Sequence, residues 1–137
     1  MTYANKQLVR AFFLALSSGD FPQQLLSADM TAWTLTSGDT TKDKFLNGVK
    51  LLAAIFGGSL VYDLEAITAE DDRVVVETTS HGFFADDGEA FNNVHVFVFG
   101  ITDGRISRVA EYMNPSKVAD QIVPHMHAAM AAAPAKI

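Results

Sequence analysis

The sequence predicts an α+β fold in which a curved, mostly antiparallel sheet forms a cone around N-terminal helices. Three observations carry this. Before Gly57-Gly58 apolar residues recur largely at helical spacing, whereas from Ser59 onward the period becomes two. The period-two runs are separated by Glu70-Asp71-Asp72, Asp86-Asp87-Gly88 and Thr102-Asp103-Gly104, and Asp-Gly between apolar runs joins antiparallel neighbours. Helices first and a meander afterwards is the layout that gathers helices on one face of a sheet.

The elements follow in order. Leu8, Val9, Phe12, Phe13 and Leu16 form one face of a first helix, which Ser17-Ser18-Gly19-Asp20 stops. Lys6 and Arg10 followed by the apolar run Ala11 to Leu16 resemble a secretory start, but the run is shorter than the usual ~7 to 15 residues and lacks a small-residue cleavage site. Phe21-Pro22-Gln23-Gln24-Leu25-Leu26 places a proline where a short helix begins, and Ala28-Asp29 breaks it. Met30 to Leu35 alternates as a strand, and Thr36-Ser37-Gly38-Asp39 is turn chemistry. Thr40 or Thr41 caps a second helix whose inner face is Phe45, Leu46, Val49, Leu52, Ala53 and Phe56. Four strands follow, Leu60 to Ala69, Arg73 to Phe84, Ala90 to Ile101 and Arg105 to Met113. Strands this long exceed the usual ~5 or 6 residues, so the sheet should curl and leave a concave mouth. Asn114-Pro115-Ser116 starts a last helix from Lys117 to about Val123, cut at Pro124. One domain over 1–127 is expected, with an alanine-rich tail over 128–137, frayed or disordered from Ala128 to Ala133 and carrying Pro134.

Composition narrows the function. The 137 residues suit a single core, and 49% hydrophobic content excludes disorder as the main state. A net charge of −6 disfavours a nucleic-acid partner, and the absence of cysteine removes thiolate chemistry, disulfides and sulfur-based zinc sites. No run approaches the ~18 apolar residues of a membrane span, so a cytoplasmic protein is expected.

Register decides which side chains share the concave face. Three-residue loops at the two Asp-Gly turns set His81 opposite Asn93, Thr79 opposite His95 and Glu77 opposite Phe97, with His95 facing Glu111 and Phe97 facing Val109. One face then carries Glu77, Thr79, His81, Asn93, His95 and Glu111 among Phe83, Phe91, Phe97, Val109 and Met113. The other carries Val76, Thr78, Ser80, Val94, Val96, Val98, Ala110 and Tyr112. A turn one residue shorter at either position moves every side chain of the shifted strand to the other face. The apolar outer face suggests a homodimer.

The order of elements, the hairpin ending Asp103-Gly104-Arg105-Ile106, the stretch Phe91-Asn92-Asn93-Val94-His95-Val96-Phe97-Val98-Phe99 and the closing Glu111-Tyr112-Met113-Asn114-Pro115 resemble the nuclear-transport-factor-2-like superfamily. The nearest branch looks like the SnoaL-like group, related to ketosteroid isomerases. The resemblance implies that the acidic residue of the polyketide cyclases and of limonene epoxide hydrolase falls on Glu111, and the cyclases' histidine on His95. Two departures accompany it. The isomerases' oxyanion tyrosine corresponds to Phe12 and their aspartate base to Thr34 and Leu35. The epoxide hydrolases' arginine has no counterpart in Glu77-Thr78-Thr79-Ser80-His81. The superfamily hosts many activities and some members without any, so fold does not decide function.

A carboxylate at the foot of an apolar cone is desolvated, which moves its pKa toward the range where a general base works best. Glu111 is therefore the candidate base. His95 would bond to it or to a substrate carbonyl, stabilising an enolate. This chemistry needs no cofactor and no metal. A binding pocket without chemistry, and a purely structural Glu–His pair, remain open. Trp33, Phe12, Glu77, Thr79, His81, Asn93, Phe97, Val109 and Met113 are the expected contacts to a small hydrophobic ligand. His125 and His127 lack the further ligands a metal needs, and Asp71-Asp72 and Asp86-Asp87 read as solvated turns.

Overall fold

The computed structural model describes residues 2–132, so Ala133 and Pro134 of the expected tail lie outside it. α1 (Thr2–Ser18) buries Val9, Phe12, Phe13 and Leu16, the residues that the helical spacing places on one face. A single 3₁₀ turn (Gln23–Leu25) replaces the expected short helix. β1 (Leu26–Thr34) begins earlier than expected, because Leu26 and Met30 are both core residues. A short strand not foreseen, β2 (Gly38–Thr41), folds back on β1. α2 (Lys42–Ile55) starts at Thr41, whose hydroxyl accepts from the Lys44 amide at 3.3 Å.

β3 (Val61–Glu70), β4 (Arg73–Phe83), β5 (Ala90–Thr102) and β6 (Arg105–Met113) form the expected antiparallel meander. β1 joins β6 in parallel, giving one six-stranded sheet in the order β2-β1-β6-β5-β4-β3. The sheet curls over α1 without closing, so β2 and β3 remain edges.

The β4–β5 register corrects the expected faces. Phe83 pairs with Ala90, Phe84 N–H donates to Glu89 C=O at 2.9 Å, and Gly88 N–H donates to Phe84 C=O. Four residues, Ala85 to Gly88, therefore make the loop. Ser80 stands opposite Asn93 and Thr78 opposite His95. Thr78 and Ser80 consequently turn inward, and Glu77, Thr79, His81 and Phe83 turn outward. The β5–β6 hairpin also differs, yet keeps its faces. Asp103 and Gly104, both at positive φ, form a two-residue turn that shifts the ladder by one. A bulge at Ser107 then shifts it by one more. His95 ends opposite Met113 rather than Glu111, still on the same face.

The C-terminal helix does not stop at Pro124. α3 (Pro115–Lys117), capped by Asn114, runs through a π-helical turn (Val118–Ile122) into α4 (Val123–Ala132). The widened turn lies just ahead of Pro124, whose ring would otherwise meet the carbonyl four residues back. Two apolar clusters result. One joins α1 to the concave face through Phe12, Phe13, Phe97 and Phe99; the other joins Phe56, Leu60, Phe84, Phe91 and Ile122. Among the described residues no helix is long and apolar enough to cross a membrane.

Candidate functional site

The seam between the two clusters is an open cavity of about 280 Å³. Leu16, Val49 and Phe97 come to its wall from the first cluster, and Leu60, Phe91 and Ile122 from the second. α2 adds Phe45, Gly48 and Leu52, while Val118 and Met126 roof it from the C-terminal helix. The exposed Thr36, Ser37 and Lys44 stand at its solvent side.

β3 to β6 bring polar groups to this wall from their inward positions, and Thr34 of β1 and Thr40 of β2 join them. Tyr62 pairs with Ser80, and Ser80 with Asn93, so these three form a row across adjacent strands. His95 follows two residues along β5, and Glu111 projects from β6. His95 Nδ1 lies 2.8 Å from Glu111 Oε2, and His95 Nε2 lies 2.7 Å from Ser80 Oγ. A carboxylate accepts only, so Nδ1–H donates to Glu111, and in the neutral imidazole Nε2 accepts from the Ser80 hydroxyl. His95 is 8% exposed and Ser80 2%, whereas the Glu111 side chain keeps 22% and opens onto the cavity. Leu35 N–H donates to the Glu111 carbonyl at 3.0 Å, tying the end of β1 to the site.

Tyr62 packs its ring 5.5 Å from that of His95. Burial, and secondarily the negative charge of Glu111, hold its phenol well above the usual tyrosine range. The phenol therefore stays protonated and is a donor facing an apolar space. Asn93 donates to the Asn114 carbonyl at 3.4 Å and accepts from the Val94 amide at 2.8 Å, which fixes its side chain.

Of the residues expected at the site, Glu111, His95, Asn93, Phe97 and Met113 line the cavity. The other expected contacts do not. Glu77, Thr79 and His81 lie on the outer face because the β4–β5 loop holds four residues; His81 pairs there with Asp63 at 2.9 Å. Phe12 is fully buried among Phe13, Phe21, Phe97 and Phe99, and Val109 is core. Trp33 packs against Tyr112 with ring centroids 5.0 Å apart. Tyr62 and Ser80 were missed. Their signals are present: Arg73, Glu77 and His81 share one parity on β4, which marks the outer face, so Ser80 belongs with Val74 and Val76 inside. On β3 the apolar set Tyr62, Leu64 changes phase to Ile67, Ala69 across a bulge at Glu65.

One cluster has the residue types of a metal site. Asp86, Asp87 and His125 place ligand atoms within 4.8 Å of one another. His125 Nδ1–H donates to the Gln121 carbonyl at 2.8 Å, and Nε2 meets Asp87 at 3.1 Å and Asp86 at 3.3 Å. The Gln121 carbonyl first, then the two carboxylates, raise the imidazole pKa against the opposing effect of burial. The cluster fastens α4 to the β4–β5 loop, with His125 stacked on Phe84 at 3.6 Å.

A family model described as a SnoaL-like domain matches residues 9–109. No curated protein matches. Among solved structures, the candidate hydroxylase AclR from Streptomyces galilaeus superposes with a TM-score of 0.77 at 15% identity, over 90% of this chain and 87% of its own. The candidate polyketide cyclase IdmH from Streptomyces antibioticus gives a TM-score of 0.74 at 14% identity, over 87% of this chain and 98% of its own. A candidate polyketide cyclase from Xanthomonas campestris pv. campestris gives 0.70 at 23% identity, over 88% and 98%. At these identities the likeness concerns the fold.

Proposed function

The chain belongs to the SnoaL-like family, and from that premise we propose that its cavity binds a small hydrophobic carbonyl compound and removes a proton next to the carbonyl. The observation that carries this reading is the Glu111 carboxylate at an apolar cavity, with one oxygen held by His95. Among the described residues the Glu111 Oε1 makes no hydrogen bond, so it is the oxygen that takes the substrate proton. His95 Nδ1–H holds the carboxylate in place, and the protonated Tyr62 phenol donates to the developing enolate oxygen. Tyr62 thus provides from β3 the kind of donor that Phe12 cannot provide from α1. The enolate then closes on a second carbonyl, as in an aldol cyclisation, and the resulting alkoxide takes the proton back from Glu111; or Glu111 returns the proton to another carbon, shifting a double bond. No cofactor enters either course. The names carried by IdmH and the Xanthomonas protein fit this class of chemistry.

Screening hydrophobic cyclic ketones and diketones by thermal shift identifies ligands, and turnover is then compared with Glu111→Gln. The variant should bind with similar affinity while its turnover falls about 10²- to 10⁴-fold. Equal turnover would remove Glu111 from the chemistry, and binding by both proteins with turnover by neither would leave a ligand-binding protein.

A further inference from the structure

The arrangement around Ser80 goes beyond proton abstraction: we propose that Ser80 is a nucleophile and that the same cavity hydrolyses compact apolar carboxylic esters through an acyl–Ser80 intermediate. Ser80, His95 and Glu111 sit on three adjacent strands, β4, β5 and β6, and all face the cavity. Their contacts, 2.7 Å from Ser80 Oγ to His95 Nε2 and 2.8 Å from His95 Nδ1 to Glu111 Oε2, place a hydroxyl, a base and an orienting carboxylate in one relay.

A neighbour on the same strand shows what a structural hydroxyl does here. Thr78, two residues away on the same face, donates to the backbone carbonyl of Asp63 at 2.7 Å, the usual way to satisfy a buried hydroxyl. Ser80 turns instead to an imidazole nitrogen whose proton is fixed at the far side of the ring. Its cross-strand neighbour Tyr62 carries a protonated phenol on the same cavity wall, the donor for an oxyanion formed at Ser80. The wall around them is mostly aliphatic and aromatic, which suits an uncharged acyl group.

The steps balance without a further reagent. The Ser80 O–H proton passes to His95 Nε2 as Oγ bonds to the ester carbon, and the carbonyl π pair moves to oxygen, where Tyr62 donates. Collapse breaks the bond to the alkoxy oxygen, which leaves with the Nε2 proton as an alcohol. Water then gives a proton to Nε2 and bonds to the acyl carbon. Collapse releases the carboxylic acid and returns the proton to Ser80 Oγ. The sum is ester plus water to acid plus alcohol.

This inference shares His95 and Glu111 with the proton-abstraction reading but does not depend on it. The test uses the full chain with p-nitrophenyl acetate, butyrate and octanoate, and a fluorophosphonate as covalent probe, located by peptide mass spectrometry. The expected result is turnover of the shorter esters, a phosphonyl adduct on Ser80, and loss of both in Ser80→Ala and His95→Gln, by about a thousandfold or more in rate. Thr79→Ala, on the outer face, should behave as wild type. The idea is overturned if the wild type hydrolyses none of the esters, if Ser80→Ala hydrolyses them at the wild-type rate, or if the adduct is absent or elsewhere. Labelling of the wild-type chain decides the matter even if Ser80→Ala does not fold. Exchange of ketone α-hydrogens by Ser80→Ala would show that proton abstraction stands alone.

Discussion

Glu111 reaches His95 by a diagonal across the ladder, because the residue directly opposite His95 is Met113. Diagonal neighbours on one face lie about 7 to 8 Å apart at the backbone, a gap that a glutamate spans and an aspartate would not. The length of the side chain therefore matters as much as its charge. Another single residue sets the position of a wall of the same cavity. Gly19 ends α1 at φ 80°, with its amide donating to Ala15 C=O, and a Cβ there would stand 2.7 Å from the Ala53 Cβ on α2. The missing side chain lets α2 come close enough for Val49 and Leu52 to wall the cavity. Gly38 has a similar φ, 72°, but open space around it. Gly38→Ala should cost about 1 to 2 kcal/mol, the left-handed penalty alone. Gly19→Ala should cost about 1 to 3 kcal/mol more, from forced displacement of α2. Denaturant titrations of the two variants measure the difference, and equal losses would mean that the contact between α1 and α2 is not tight.

At the scale of elements, the C-terminal helix roofs the cavity and is fastened by one histidine. His125 carries a raised pKa, so its bonds to Gln121 and Asp87 contribute stability below the ordinary imidazole pKa and lose it as pH rises through the raised value. Asp87 has a lowered pKa, first from the Glu89 amide and then, against desolvation, from His125. Its contribution is present above the ordinary carboxylate value and fades as pH falls through the lowered one. The fastening is thus strongest at mildly acidic pH. His125→Gln should lower the melting temperature more at about pH 5.5 than at about pH 8.5, measured against wild type in each buffer; a constant gap would show that only the stacking on Phe84 matters. The elements themselves were largely legible: the helix faces and the extents of β3 to β6 follow from periodicity, and cap chemistry narrows the start of α2 to Thr40 or Thr41, of which the structure uses Thr41. Register was not, because it depends on loop hydrogen bonds. Asp86-Asp87-Gly88 looks like a three-residue loop until Phe84 N–H finds Glu89 C=O, and the resulting shift takes Glu77, Thr79 and His81 out of the site and brings Ser80 in. At β5–β6 the shorter turn and the Ser107 bulge cancel in parity, so His95 and Glu111 remained on one face although neither correction was visible. Pro124 misled for a related reason, since a π-helical turn relieves a clash that composition alone predicts.

For the molecule as a whole, the outer face of the sheet is as informative as the cavity. Val94, 58% exposed, and Val96 stand beside Tyr112, against which Trp33 packs, and all belong to the central strands rather than the edges. We propose that a second copy covers this strip, since apolar residues in the middle of a sheet are otherwise left in water. Light scattering should then give twice 14.8 kDa for the wild type and the monomer mass for Val96→Asp, with a cooperative melt retained; a monomeric wild type would contradict the proposal. The net charge of −6 opposes pairing, so added salt should strengthen it. Inside the sheet, fold and family leave the chemistry to the residues of the seam, and the central claim is that Glu111 takes a proton from carbon there. Its most direct measurement is the rate of α-hydrogen exchange of a bound hydrophobic cyclic ketone in heavy water, followed by NMR. Wild type should accelerate exchange above buffer, and Glu111→Gln should fall to the buffer rate while still binding the ketone. Exchange at the wild-type rate in Glu111→Gln, or none above buffer in the wild type with the ketone bound, would contradict it.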